Sequence, residues 1–341
     1  MEINYDVHII ESVNTYIDFV KNMTSNTNIV NNKRIEFLKN NIKIFGSQDN
    51  NILKLYYEAI LKRYKEYIKD TDFKYNFFYR GHYSKSYSLV PSVFRGSNWN
   101  NEHYYYHEMI LRCPEHFQNS RHLDRLVKMQ HYGCPTRLLD VTSNPLVALY
   151  FACKNFSVNL TDEKEDGEVT IFAVPQDEIL FFDSDRALIL SCLSKFNPSN
   201  KNKIYEETIK SLQDGRYLQK KGGGLYTNKT IEKLFHEITT EIPSFKRIIK
   251  PRDLLMSYFV QPNKTNDRIV KQDGAFILCG LSKDQEEAES KINALAYDRI
   301  IIKNKKAILN ELESLGINKA TLFPEIDMVA EYLKESVYQI K

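Results

Sequence analysis

The sequence predicts an α+β fold, with a small twisted β-sheet in the middle, flanking helices and an N-terminal helical subdomain. Three observations support this prediction. Apolar residues recur at three- and four-residue spacing through much of residues 1–70, as in amphipathic helices. Short runs of aromatic and β-branched residues, such as YNFFYR and EVTIFAV, are typical of strands. Amphipathic helical patterns return after residue 280 and continue through the tail.

The N-terminal segment contains two helical patterns, IESVNTYIDFVKN at 10–22 and NILKLYYEAILKRYKEYIKD at 51–70. Polar residues at 25–28 and at 46–49 separate the helical patterns as linkers. We therefore predict a helical subdomain over residues 1–72 that packs on the rest of the chain.

The segments that follow alternate between strand and helix patterns, and turn residues punctuate them. In chain order, we predict a strand at 75–80, a helix at 120–133, a strand at 136–141, a helix at 145–156 and a strand at 168–174. Gly133 closes the first of these helices, and Pro145 opens the second at its first position.

Residues 73–341 are predicted to form a second domain, which a partly helical insert interrupts at about 184–265. The insert contains helical pieces, a mixture of charges and three glycines at 222–224, and a lid is one interpretation of it. The segment 267–280 then reads as one strand after a turn or as a pair of strands. Amphipathic helices follow to the end of the chain.

Composition and charge indicate an ordinary globular protein. The chain has 341 residues, of which 42% are hydrophobic and 27% charged, with a net charge of +3, so charge alone indicates neither a nucleic-acid nor a membrane partner. Five cysteines without a CxxC pair favour a reducing compartment, and we expect a cytoplasmic location. The apolar runs are shorter than the roughly 20 residues of a membrane-spanning helix.

Arg80 is the first candidate site residue, because it ends an aromatic strand and precedes Gly81. A guanidinium in that position can bind a phosphate or carboxylate through two hydrogen bonds. Gly81 allows a ligand or another backbone to approach closely. The alternative is a structural arginine that pairs with an internal carboxylate.

A second group of candidates lies at 130–144. Thr142, Ser143 and Asn144 stand between a strand and a helix N-terminus, where they can hold an anion or cap the helix. Arg137 and Asp140 flank two leucines and can bind a ligand or form a structural ion pair with each other.

Two histidine patterns have alternative readings. His131 is a candidate acid or base, or a structural histidine at a helix end. His103 and His107 have the i, i+4 spacing of metal ligands, but no standard zinc module surrounds them, and we predict no metal site.

The chain resembles the FRG domain family, which is named after an aromatic-Arg-Gly signature. The matching segments are FFYRGH, SLVPSVFR, LVKMQHYGCPTRLLDVTSNPLVALYFA, KQDGAFILCG and ATLFPEIDMVAEYLK, in this order. The long central segment is highly specific. The FRG resemblance does not by itself imply a reaction.

The chain is also similar, more weakly, to mono-ADP-ribosyltransferases of the Arg-Ser-Glu type. Those enzymes have an aromatic-Arg-Gly strand and an STS-like turn that is followed by a helix, as in VTSNPLVALYF. The resemblance implies an ADP-ribosyltransferase-like sheet and NAD as substrate. By analogy, Arg80 holds the NAD phosphate or ribose, and Thr142 or Ser143 supports the nicotinamide pocket.

The chain departs from that pattern at the late glutamate, which contacts the ribose. Gln272 occupies the first position of the expected motif, but Gly274 occupies the second. Glu325 in the tail can supply the carboxylate instead, and Asp327 is the other option. The first hypothesis is therefore an NAD-using transferase or NAD glycohydrolase, with Arg80, Gln272 and Glu325 as catalytic residues. Such an enzyme would act as an intracellular toxin or defence effector. Its acceptor would be an unknown protein or nucleic acid. The second hypothesis is a non-catalytic module that binds a nucleotide or a phosphorylated partner.

Overall fold

The computed structural model describes residues 8–25, 27–45, 52–69, 74–155, 165–214, 218–219, 229–246 and 248–339. The strands are β1 (His8–Ile10), β2 (Tyr75–His82), β3 (Leu138–Thr142), β4 (Gly167–Pro175), β5 (Leu180–Phe181), β6 (Leu218–Gln219), β7 (Ile248–Ile249), β8 (Tyr258–Gln261), β9 (Gly274–Leu278) and β10 (Asp298–Ile302).

The helices of the described residues include amphipathic ones, such as Lys229–Glu241, and one that is apolar on all sides, Pro145–Cys153. They are α1 (Val13–Ser25), α2 (Thr27–Phe45), α3 (Ile52–Tyr67), α4 (Asn98–Arg112), α5 (His122–His131), α6 (Pro145–Cys153), α7 (Asp185–Cys192), α8 (Pro198–Gln213), α9 (Lys229–Glu241), α10 (Pro251–Leu255), α11 (Asp267–Lys271), α12 (Gln285–Asn293), α13 (Lys305–Ser314), α14 (Lys319–Leu322) and α15 (Ile326–Gln339).

Eight strands form one mixed sheet in the order β1-β10-β4-β2-β3-β9-β8-β5. The outermost pairs, β1 with β10 and β8 with β5, are parallel, and the pairings between them are antiparallel. The predicted mixture of helices and strands is therefore confirmed, but the sheet is larger than expected. The unpredicted strands β1, β5, β8 and β10 have five residues or fewer, too few for a clear alternating pattern.

Strand β4 shows how the core is arranged. All nine of its residues are buried, because helices or loops cover both faces of the sheet. Val169 and Ile171 pack in a cluster with side chains of α1, α6 and α13. Phe172 and Val174 point to the other face and pack with residues of β9 and α12.

The N-terminal segment is helical as predicted, except that β1 extends the main sheet by pairing with β10. Helix α3 packs close to α12, where the hydroxyls of Tyr56 and Tyr57 donate to the backbone oxygens of Lys291 and Ser290, each at 3.2 Å. The domain boundary at residue 72 stays a prediction.

The segment 184–265 contributes to both the core and the sheet. Residues 187–192 of α7 are all buried, and β8 pairs with β9 in the main sheet. The glycines at 222–224 lie outside the described residues. Further on, α11 precedes β9, so residues 267–280 form a short helix and one strand and not a pair of strands. The side chain of Asn266 begins α11 by accepting a hydrogen bond from the Arg268 amide. No helix among the described residues is long and apolar enough to span a bilayer.

Candidate functional site

A cleft of about 240 Å³ lies beside the centre of the sheet. Strands β2, β3 and β9 meet helices α5, α6 and α11 around it. Six of the ten predicted site residues line this cleft, namely Arg80, Gly81, His131, Asp140, Thr142 and Gln272. Val127, Phe151 and Ile269 are among the apolar residues of the lining. The cleft therefore combines polar groups with apolar surface, as small-molecule sites do.

Arg80 is held in the cleft mainly by neutral acceptors. Its Nη1 donates to the backbone oxygen of Asp140 at 2.5 Å, and its Nε donates to Nε2 of His82 at 2.8 Å. The distance from Nη1 to Oδ2 of Asp140 is 3.8 Å, and the Asp140 side chain is 60% exposed, so this ion pair is weak. Neither hydrogen bond uses Nη2, so this amino group can donate to an anion in the cleft.

Burial changes the ionisation of both groups around that contact. It lowers the pKa of Arg80 to about 10, against the opposing effect of Asp140, and the guanidinium stays charged at neutral pH. Burial and the nearby Arg80 hold the pKa of His82 well below its ordinary value. His82 is therefore neutral, and its Nε2 can accept the hydrogen bond from Arg80.

The carboxylate of Asp140 is oriented by a short relay. Gln130 donates from Nε2 to Oδ2 of Asp140 at 2.9 Å, and its Oε1 accepts a hydrogen bond from the Thr136 hydroxyl at 2.6 Å. Gln130 and Asp140 both line the cleft. The relay places one fixed negative group close to Arg80.

The turn at 142–144 binds the chain segment that precedes β9. The hydroxyl of Thr142 donates to the backbone oxygen of Gln272 at 2.6 Å, and the amide of Ser143 donates to that of Asp273 at 3.1 Å. Asn144 caps α6 by accepting from the Leu146 amide at 3.0 Å. The capping interpretation is therefore confirmed for Asn144, and Ser143 and Asn144 lie outside the cleft lining.

Gln272 and Glu325 approach the cleft from different segments. The amide of Gln272 donates to the backbone oxygen of Leu322 at 3.0 Å. Glu325 does not line the cleft, but its Oε1 lies 3.8 Å from Nε2 of His131, which does. Its Oε2 is buried, and no side chain or backbone group of the described residues forms a hydrogen bond with it. Burial and then Arg268 lower the pKa of His131, while Glu325 partly opposes them.

Arg137 lies elsewhere, and the proposed ion pair between Arg137 and Asp140 is wrong. The guanidinium is fully buried and forms two hydrogen bonds with Glu102, at 2.8 and 2.6 Å. Its Nη1 donates to the backbone oxygen of Cys279 at 3.1 Å. Arg137 directly precedes β3 and points away from the cleft, so it has a structural contact in place of the predicted ligand contact.

Gly81 is required by the packing of α6 against β2. A Cβ atom at this position would lie 1.9 Å from the backbone oxygen of Ala148 and 2.7 Å from the amide nitrogen of Ala152. Of the two interpretations of this glycine, close approach of another backbone is therefore the one that the geometry satisfies. The same contact brings Ala148 to the wall of the cleft.

Sequence reasoning missed His82, Gln130 and Arg268 as site residues. His82 follows Arg80 at the spacing that puts two side chains on one face of a strand, which is a usable signal. Gln130 and His131 are neighbours, but only the histidine suggests chemistry by its type. Arg268 stands five positions before Asp273, and only the fold brings it to the cleft, with its guanidinium 4.5 Å from the Phe323 ring centre.

The family model of the FRG domain matches residues 75–159. This stretch supplies β2, β3, α5 and α6, which form a large part of the cleft, and it includes Arg80 and the 142–144 turn. The chain is thus a mixed α/β protein in which residues 75–159 are similar to the FRG domain. Neither the curated proteins nor the solved structures gave a match. Within the described ranges, no group of three or more His, Cys, Asp and Glu side chains is arranged to hold a metal ion.

Proposed function

We propose that the cleft binds NAD and that the protein is an ADP-ribosyltransferase-like enzyme or an NAD glycohydrolase. The observation that carries the proposal is the convergence of Arg80, Thr142 and Gln272 on one open cleft, with Glu325 at its edge. These residues come from four separate parts of the chain. Arg80 is also neither sealed off nor neutralised by Asp140.

The size and lining of the cleft suit one end of a dinucleotide. A volume of about 240 Å³ accommodates a ring and its ribose but not the whole of NAD. The nicotinamide riboside end would lie against Phe151 and Ile269, and the pyrophosphate would lie toward Arg80. The Nη2 group of Arg80 would then make a charge-assisted hydrogen bond to phosphate.

The reaction would break the bond between the nicotinamide nitrogen and C1′ of the ribose, and nicotinamide would leave with the electron pair. The positive ribose needs a negative group nearby. Glu325 would supply this charge from the edge of the cleft, where its Oε1 lies 3.8 Å from Nε2 of His131. An acceptor or a water molecule then adds to C1′ and loses a proton, which the neutral imidazole of His131 can accept.

The test is nicotinamide release by the pure protein, alone and with a cell lysate as the source of an acceptor. We expect turnover by the wild type, loss of at least about 100-fold with Arg80→Ala and Glu325→Gln, and wild-type rates with Arg112→Ala, whose arginine is exposed on α4. Turnover that is equal in Arg80→Ala and the wild type would overturn the proposal.

The role as an intracellular toxin or defence effector has its own test. Expression of the wild type should arrest growth, and Arg80→Ala should relieve the arrest at equal protein level. Normal growth with abundant, folded wild-type protein would count against this role. The acceptor, protein or nucleic acid, would be sought by labelling a lysate with NAD that carries a tag on its adenine.

A second candidate function is a non-catalytic module that binds a nucleotide or a phosphorylated partner. One observation favours it: the side chains of Thr142 and Gln272 donate hydrogen bonds to backbone oxygens and not to a ligand position in the cleft. Saturable NAD or AMP binding that depends on Arg80, without nicotinamide release, would select this candidate.

A further inference from the structure

A second cavity, of about 420 Å³, lies away from the cleft, where α4, α8 and α9 meet. Its lining has an unusual excess of basic side chains for a single cavity. These are His103, His107, Lys195, Lys233 and His236. They come from α4, from the 3-10 turn before α8, and from α9. Glu237 is the single carboxylate among the lining residues.

The charges around this cavity do not balance. Glu237 forms an ion pair with Lys195, so its charge is already used. No carboxylate among the described residues lies within ion-pair distance of Lys233. The three histidines add further hydrogen-bond donors to the same lining. This excess of basic side chains favours an anion as the ligand.

Two further observations fit an anionic ligand. Helix α8 begins at the cavity, where Asn197 and Asn200 line it, and the N-terminus of a helix of this length carries a partial positive charge. In addition, His103 lines the cavity, and its Nδ1 is buried. The ring can donate a hydrogen bond to a ligand oxygen there.

We propose that this cavity binds the phosphate group of a small phosphorylated molecule. A phosphate presents several oxygens in a tetrahedral array, so it can accept hydrogen bonds from donors on three helices together. The volume leaves room for an organic substituent beyond the phosphate. The proposal is independent of NAD, because none of the cavity residues lines the cleft.

The test follows the ring protons of the eight histidines by NMR during titration with inorganic phosphate, AMP and a short single-stranded oligonucleotide. His→Gln variants assign the signals. We expect His103, His107 and His236 to shift with phosphate and AMP in the millimolar range or below. His131 reports binding in the cleft separately. A response to the oligonucleotide alone would replace the small ligand by a nucleic-acid backbone and so overturn the proposal.

Two charge variants make the result specific. Lys233→Gln should weaken phosphate binding about tenfold, because a charge-assisted contact is lost. Lys210→Gln removes an equal charge from an exposed position at the far end of α8, and it should leave the affinity unchanged. The proposal is wrong if the three histidine signals do not respond to phosphate, or if both variants bind phosphate equally well.

Discussion

Replacing Glu102 by glutamine should destabilise the protein strongly, although this residue is remote from the cleft. Its carboxylate is 2% exposed and accepts two hydrogen bonds from Arg137 and one, at 2.9 Å, from Ser194. Lys201 contacts the same carboxylate, and its Nζ lies 4.1 Å from the ring centre of Trp99. Glu102→Gln would leave two fully buried cations facing a neutral amide.

The size of the effect follows from the pKa of Glu102 and from the usual cost of breaking a buried ion pair. Burial alone would raise the pKa of Glu102, but Arg137 and Lys201 outweigh it and lower the pKa from 4.5 to about 2. At about 1.4 kcal/mol per pKa unit, this corresponds to roughly 3 kcal/mol at neutral pH. Removing one partner of a buried ion pair costs about 3–5 kcal/mol in other proteins. We therefore expect the free energy of unfolding to fall by about 3 kcal/mol.

The sign of the pH dependence follows from the lowered pKa. The contribution of Glu102 is complete above the unfolded pKa of 4.5 and is lost as the pH falls towards 2. The difference in stability between the wild type and Glu102→Gln should therefore shrink as the pH falls below about 5.

The assay is urea unfolding, followed by far-UV circular dichroism and by the fluorescence of Trp99, which is the single tryptophan and lies next to Lys201. Glu108→Gln is the matched control, because Glu108 is on the same helix and pairs with Arg112 near the surface. This control should change stability by less than about 0.5 kcal/mol. If the two variants have the same urea midpoint, the argument from buried charge is refuted.

Three further predictions concern residues in and around the cleft. Gly81→Ala should lower the free energy of unfolding by more than about 3 kcal/mol or prevent folding, since its Cβ would lie 1.9 Å from the Ala148 oxygen. Gly274→Ala, with 3.4 Å to its nearest atom, should lower it by less than about 1 kcal/mol. Thermal unfolding compares the two variants, and equal melting temperatures would contradict the packing argument. Asn144→Ala should lower stability by about 1 kcal/mol through loss of the α6 cap, and urea unfolding that shows no change would contradict this. His82 should stay neutral, so its NMR signal should not titrate between pH 8 and 5. Because its pKa is lower in the folded than in the unfolded protein, His82 should reduce the stability of the protein as the pH falls below about 6.5. A signal that titrates with an ordinary pKa would contradict this prediction.

The sequence predicts the central elements well because their signals are local. Tyr75–His82, Leu138–Thr142 and Gly167–Pro175 agree with the predicted strands to within two residues at each end, and Asn144 with Pro145 marks a helix start. Strand β10 was not predicted, because its sequence DRIII is short and continuously apolar after its two charged residues. Strands and buried helices share this pattern. Strand β1 pairs with β10, which lies almost 300 residues further along the chain, so local sequence signals do not indicate it.

The sequence indicates those residues of the site that lie at the end of a strand or in a turn. Arg80, Asp140 and Thr142 were accessible in this way, because their positions next to glycine or a helix start restrict where they point. The sequence does not indicate the partner of Arg137. Asp140 is nearby in sequence but lies on the other side of the backbone, and Glu102 is distant in sequence but adjacent in space. Whether a buried arginine binds a ligand or a carboxylate depends on such long-range contacts.

The same contacts bear on the role of residues 184–265. A lid must move as a unit that separates from the core at low cost. Here Ser194 and Lys201 bind Glu102 directly, and β8 pairs with β9 in the sheet, so opening the whole segment would break the contact between Lys201 and Glu102 and separate two paired strands. Breaking a buried ion pair costs several kcal/mol. We therefore infer that the first part of the segment and its last strand belong to the core that holds the cleft, and that they do not open as a lid.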